Sequence, residues 1–145
     1  MDNKLMTFEN AAFGKIRTLT IDGEPWFVAV DVCRALEIGN PTDAMRRLDA
    51  DERTLVSIEG ASNGLPVNAV NEPGLYTLIL GSRKPEAKAF KRWITHEVIP
   101  AIRKYGGYMT KSLLEQVLEN PNLIYEFARR MLAEQQKNER LRQEL

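Results

Sequence analysis

Apolar residues alternate with polar ones in two regions of the chain and recur every three or four residues in most of the rest, and the change of period marks out the elements. Ile16 to Ile21 alternates as a strand, Asp22-Gly23 supplies a tight turn, and Trp26 to Val28 returns as its hairpin partner. Trp26 and Phe27 then fall on opposite faces of the pleat. Asp31 is placed to cap a short helix through Val32, Cys33, Leu36 and Ile38, which Gly39-Asn40-Pro41 stops. Asn40 caps a second helix, with Pro41 in its first position and Ala44, Met45 and Leu48 as its apolar face. Arg53 to Ile58 and Leu65 to Val70 form a second hairpin around the polar loop Glu59 to Gly64. Asn71-Glu72-Pro73 opens a helix with Leu75, Leu78 and Ile79 inward, and Gly81 ends it.

A longer helix is expected after Ser82, with Pro85 in its first turn and Ala87, Phe90, Ile94, Val98 and Ala101 as its apolar stripe. Pro100 interrupts that helix, so a kink or fresh turn is expected near His96 to Val98, and Gly106-Gly107 closes it. Beyond Gly107, Ser112 and Glu115 have capping-box spacing, and Asn120-Pro121-Asn122 breaks the chain once more. The last stretch spaces Ile124, Phe127, Met131, Glu134, Asn138, Leu141 and Leu145 by threes and fours. That spacing is the seam of a short coiled coil with polar interruptions, and Asn138 would fix its register. A single amphipathic helix folded back on the domain is the other reading of the same stripe. The expected fold class is α+β, two small antiparallel hairpins packed with short helices, followed by a C-terminal helical extension. The domain is placed at residues 1–108 and the extension, a possible dimerisation segment, at 109–145.

Charge changes this picture in one place. The 145-residue chain has a formal net charge of +0, yet between Gly81 and Gly107 seven Lys or Arg stand against two acids. Lys84, Lys88 and Lys91 recur on one face of the expected helix, with Arg83 and Arg92 beside them, and Arg46 and Arg47 lie on the outer face of the second short helix. Such clustering focuses potential where scattered charge does not, so these seven residues are the candidate nucleic-acid contacts. The plainer reading is a solvated, solubilising face. Gly39-Asn40-Pro41 between two short helices gives the outline of a helix-turn-helix, but a proline in the connection and a short second helix weigh against a recognition helix there.

Catalysis is not expected. The chain has one histidine, His96, and one cysteine, Cys33, in different expected helices and with no third group to orient them. No metal-ligand spacing and no glycine-rich phosphate loop is present, so neither metal nor cofactor is expected. No run approaches the ~20 apolar residues of a membrane helix. The first residues lack a secretory pattern, and a lone cysteine fits a reducing cytoplasm.

Four separated stretches, taken together, are recognisable. They are Ile21 to Ala29 with Asp31-Val32; Val67-Asn68 with Asn71 to Tyr76; Ser82 to Ala87 with Phe90 to Trp93; and His96 to Lys104 with Gly106 and Tyr108. Over about Phe8 to Tyr108 the sequence closely resembles the BRO family N-terminal domain, found in phage and prophage antirepressor-like proteins and in large DNA viruses of insects. The resemblance implies a small α+β domain associated with DNA binding and transcriptional control, often joined to a variable C-terminal domain. The expected function is therefore a DNA-binding transcriptional regulator of the phage antirepressor type. The alternative is a protein-interaction antirepressor that captures a phage repressor or host regulatory protein without binding DNA. The expected assembly is a cytoplasmic homodimer joined through Ile124, Phe127, Met131, Asn138, Leu141 and Leu145.

Overall fold

The computed structural model describes residues 6–10, 13–58 and 65–143. The chain divides into two compact units, Met1–Glu97 and Val98–Leu145, whereas the sequence pattern places the domain boundary after Tyr108.

The first unit is built on one antiparallel sheet of five strands in the order β1-β2-β3-β5-β4. The strands are β1 (Met6–Asn10), β2 (Gly14–Ile21), β3 (Glu24–Val28), β4 (Arg53–Val56) and β5 (Val67–Asn71). The β2–β3 connection is Asp22-Gly23 with φ of 51° and 79°, the doubly left-handed pair that matches strand twist in a two-residue hairpin. Pairing of Phe27 with Val70 and of Val28 with Ala69 joins the two expected hairpins edge to edge, and β1 adds a strand beyond β2.

The pleat sends alternate residues into two apolar clusters. One contains Ile16, Val32, Cys33, Leu36, Met45, Val70, Leu78 and Ala87, with Phe27 packed against it. The other contains Leu19, Val28, Val56, Ile58 and Ala69, with Trp26 packed against it, so Trp26 and Phe27 do part to opposite faces. The first cluster is roofed by α1 (Ala29–Ala35), α2 (Pro41–Arg46), α3 (Glu72–Gly81) and α4 (Pro85–Trp93).

Helix starts follow local chemistry at two sites. Asn40 Oδ1 accepts from Asp43 N at 3.1 Å, with Pro41 in the first position of α2. Asn71 Oδ1 accepts from Gly74 N at 3.0 Å at the head of α3. Asp31 is not a cap. It lies inside α1 and is buried, its carboxylate receiving Arg17 Nε at 2.8 Å, Arg17 Nη2 at 3.0 Å and the Arg17 backbone N–H at 2.9 Å. Tertiary pairing with β2 draws the carboxylate inward and away from the helix end. Gly74 is also fixed by packing, since a Cβ there would stand 2.8 Å from the Glu52 carbonyl oxygen.

The expected long helix after Ser82 is interrupted. α4 ends at Trp93, a π-helical turn spans Ile94–Val98, and α5 runs Ile99–Tyr105. Pro100 has no N–H to give a carbonyl one turn back, and a π turn is a way to absorb that loss. Gly106 closes α5 at φ 85°.

The second unit continues with α6 (Lys111–Glu119) and α7 (Asn122–Gln143). Thr110, not Ser112, caps α6, accepting from Leu113 N at 3.2 Å. Among its described residues only Val117 is buried. No helix among the described residues is long and apolar enough to cross a membrane.

Candidate nucleic-acid interface

The seven basic residues singled out by the sequence separate into two kinds. Lys84 precedes α4 and is half-buried: its Nζ donates to the Ala35 carbonyl at 2.8 Å and lies 5.3 Å from the centre of the Phe13 ring. A cation on the last carbonyls of a helix complements its dipole, so this lysine ties the start of α4 to the end of α1. Arg46, Arg47, Arg83, Lys88, Lys91 and Arg92 are exposed, and none of their side chains makes a hydrogen bond or ion pair with a described residue. The contrast with neighbouring cations is sharp. Arg17 and Arg34 are held by Asp31, and Arg53 donates to the Met45 carbonyl at 2.9 Å.

Lys88, Lys91 and Arg92 are exposed on α4, which buries Ala87 and carries Phe90 into a stack with Tyr76, their centroids 6.0 Å apart. The helix is thus anchored through Ala87 and Phe90 while Lys88, Lys91 and Arg92 stay exposed. The aromatic residues are less buried than their size suggests: Tyr76 and Trp93 are each 40% exposed.

Arg47 and Arg83, distant in sequence, come to one place. A cleft of about 380 Å³ between the end of α1, the start of α2 and the α3–α4 connection is lined by both arginines together with Glu37, Asn40, Asp43 and Ser82. Arg83 sits between two tethered residues, because Ser82 Oγ donates to the Leu36 carbonyl at 2.9 Å and Lys84 holds Ala35. Arg47 lies along Gly81, where an added Cβ would meet its Nη1 at 3.4 Å. Glu37 occupies the left-handed position after α1 at φ 58°, with Ile38 N bonded to the Cys33 carbonyl at 2.8 Å. Sequence reading misses Glu37, Asp43 and Gly81 as site residues. No spacing rule connects them to Arg83, and only the packing of α1 against the α3–α4 connection does.

Other titratable groups have structural explanations. Cys33 is buried among apolar residues, and burial pushes its thiol up despite the opposing charge of Arg47. His96 is exposed in the π turn, its Nδ1 3.0 Å from the Arg92 carbonyl. Burial alone would push the Asp31 carboxyl up, but the hydrogen bonds from Arg17 and the charges of Arg17 and Arg34 outweigh it and hold the group below the ordinary carboxylate range. Among the described residues no group of three or more His, Cys, Asp or Glu is arranged to hold a metal.

On the tail, Ile124, Phe127, Met131 and Leu141 are exposed by 48, 37, 44 and 51%, and Asn138 is exposed as well. Leu145 lies outside the described residues, as does the loop Glu59 to Gly64. An apolar groove of about 610 Å³ within this unit is lined by Ala101, Tyr105, Leu114, Ile124, Phe127 and Met131, among others.

Residues 15–100 match the family described as BRO family, N-terminal domain. The chain is 38% identical over 89 residues to an uncharacterized protein of Haemophilus influenzae, an overlap of 59% of this chain and 43% of that one. It is 29% identical over 119 residues to Bro-N domain-containing protein 019R of Invertebrate iridescent virus 3, covering 66% of this chain and 29% of the relative. Protein 201R of Invertebrate iridescent virus 6, also named for a Bro-N domain, is 28% identical over 126 residues, covering 72% and 30%. The matches thus span between 29 and 43% of the length of these relatives. No solved structure matches the chain.

Proposed function

We propose that this chain, which belongs to the BRO family through the N-terminal domain matched by residues 15–100, is a DNA-binding transcriptional regulator of the phage antirepressor type. The observation that carries the reading is the sorting of its cations. Arg46, Arg47, Arg83, Lys88, Lys91 and Arg92 stand exposed with no side-chain hydrogen bond or ion pair to a described residue, whereas Arg17, Arg34, Arg53 and Lys84 are all engaged. Exposed cations without a carboxylate partner among the described residues can displace counterions from a phosphate backbone. In this reading Lys88 and Lys91 neutralise phosphates while the arginines add bidentate contacts to phosphate or guanine edges. Lys84 contributes to the fold and not to the contact surface, because its ammonium already serves the Ala35 carbonyl.

The unit Val98–Leu145 supplies the assembly. A unit in which Val117 alone is buried among the described residues has too little core of its own, and the three-and-four spacing of Ile124, Phe127, Met131, Asn138 and Leu141 along α7 suits a second copy of the same helix. Two copies would bring two basic surfaces to one duplex, as a two-fold operator requires.

The test is a titration of labelled operator-region duplex at several salt concentrations with the wild type and a Lys88→Ala/Lys91→Ala/Arg92→Ala variant. The slope of log affinity against log salt is expected to become shallower by about 0.9 for each phosphate contact removed. An unchanged slope and affinity would remove this surface from the reading. Retention of a repressor or host regulatory protein from a nuclease-treated lysate, with no specific DNA, would favour protein capture instead. The exposed Leu118 and Tyr125, at 82 and 64%, are the anchors for that second reading.

A further inference from the structure

The cleft shared by Arg47 and Arg83 differs from the α4 surface in one respect. It pairs two cations with two anions, and no two of the four neutralise each other: among the described residues the side-chain ion pairs are those of Asp31 with Arg17 and Arg34. A lining with two guanidinium groups and two carboxylates has no net formal charge, so it is not a general anion trap. It complements a ligand that carries an anion at one end and a hydrogen-bond donor at the other.

The backbone around Arg83 is fixed, and Arg47 lies close to Gly81. Arg83 is bracketed by Ser82, bonded to the Leu36 carbonyl at 2.9 Å, and Lys84, bonded to the Ala35 carbonyl at 2.8 Å, so its backbone cannot drift from the end of α1. Arg47 is laid along the small Gly81, with 3.4 Å to the position a side chain would take. Two guanidinium forks on one cleft can grip a tetrahedral oxyanion bidentately. On the same cleft Glu37 closes the end of α1 in a left-handed conformation that glycine would adopt without strain, yet the residue there is a carboxylate. The volume of about 380 Å³ lies in the range of small-ligand sites.

We propose that this cleft binds one unpaired nucleotide, its phosphate held by Arg47 and Arg83 and the exocyclic amino group of its base accepted by the carboxylates of Glu37 and Asp43. An acidic side chain accepting from cytosine N4 is a direct-readout pairing, and a base can offer that edge in a cleft only when it is outside a duplex. The inference rests on the nucleic-acid reading above for its choice of ligand class. Arg83 lies two residues before the first residue of α4, so a strand tracked by Lys88, Lys91 and Arg92 would run toward the cleft.

Binding of deoxycytidine 5′-monophosphate, measured by calorimetry or amide-shift titration on the full chain, tests the proposal. Thymidine 5′-monophosphate, with a carbonyl where cytosine has its amino group, should bind about tenfold more weakly, the loss of one good base pairing. Arg47→Gln or Arg83→Gln should weaken both nucleotides at least tenfold, with Arg→Lys intermediate because charge survives without the fork. Glu37→Gln with Asp43→Asn should abolish the preference for cytosine while leaving thymidine binding in place. All of these side chains are exposed, and an unchanged thermal midpoint certifies each variant as folded. No binding, binding indifferent to both arginines, or equal binding of the two nucleotides by the wild type would overturn the assignment. Loss of duplex affinity in the Lys88/Lys91/Arg92 variant, whose residues lie outside the cleft, would leave the DNA reading standing whatever the nucleotide titrations give. Failure of the wild type to bind any duplex would overturn that reading, and nucleotide binding by the cleft would still be scored by the measurements above.

Discussion

Asp31 shows how much one side chain can organise. It is 3% exposed, receives both side-chain and backbone hydrogen bonds from Arg17, and lies 3.4 Å from Arg34, which in turn donates to the Lys15 carbonyl at 2.8 Å. The group fastens α1 to β2. Replacing Arg17 with Met should cost about 2–3 kcal/mol in denaturant melts, below the cost for a fully buried pair because Arg34 remains beside the carboxylate. The folded-state pKa of Asp31 is depressed, so its contribution is present above the unfolded carboxylate value and is lost as pH falls through the folded one. Asp31→Asn should therefore lower stability at neutral pH and flatten its fall in acid, which melts from about pH 7 down to pH 3 would register. Tyr76 offers a spectroscopic reporter: its hydroxyl donates to Glu72 Oε1 at 2.6 Å, and that bond, with burial and the Glu72 charge, pushes its pKa up to about 12. In Glu72→Gln the ultraviolet titration of this phenol should move back toward about 10. Gly74 is a third case. A methyl there would drive against the Glu52 backbone at 2.8 Å, so Gly74→Ala should cost about 1–3 kcal/mol, read as a lower denaturation midpoint at unchanged m-value.

Local chemistry decides most of the elements, and those are the parts legible in the sequence. The Asp22-Gly23 turn, the Asn40 and Asn71 caps and the glycine stop after α5 form as their residue types require. The exceptions occur where a distant partner intervenes. Asp31 is drawn from the helix end by Arg17 opposite it, while the Ser82 hydroxyl both donates to the Leu36 carbonyl and accepts from Lys84 N at 3.2 Å ahead of α4. The tail is the clearest element-level test. α7 has 22 residues and no buried side chain among those described, so its stability depends on a partner surface. Deleting Pro121 to Leu145 should shift the sedimentation mass from dimer toward monomer. An unchanged dimer mass would place the contact within residues 1–120.

At the scale of the molecule, the sequence by itself determined an α+β chain of two hairpins and short helices with a helical extension, and its four motif stretches identified the family. Those features depend on period, turn residues and caps, all of which act over a few neighbouring positions. Only the tertiary structure decided that the hairpins fuse through β3 and β5 into one sheet, since strand edges carry no sequence label for their partner. It alone divided the basic residues into Lys84, used to tie α1 to α4, and six that remain exposed. It alone brought Arg47 and Arg83 into one cleft with Glu37 and Asp43. Which cations meet a ligand depends on the packing of helices far apart in the chain, and hydrophobic burial sets that packing with no regard to the charges it carries to the surface.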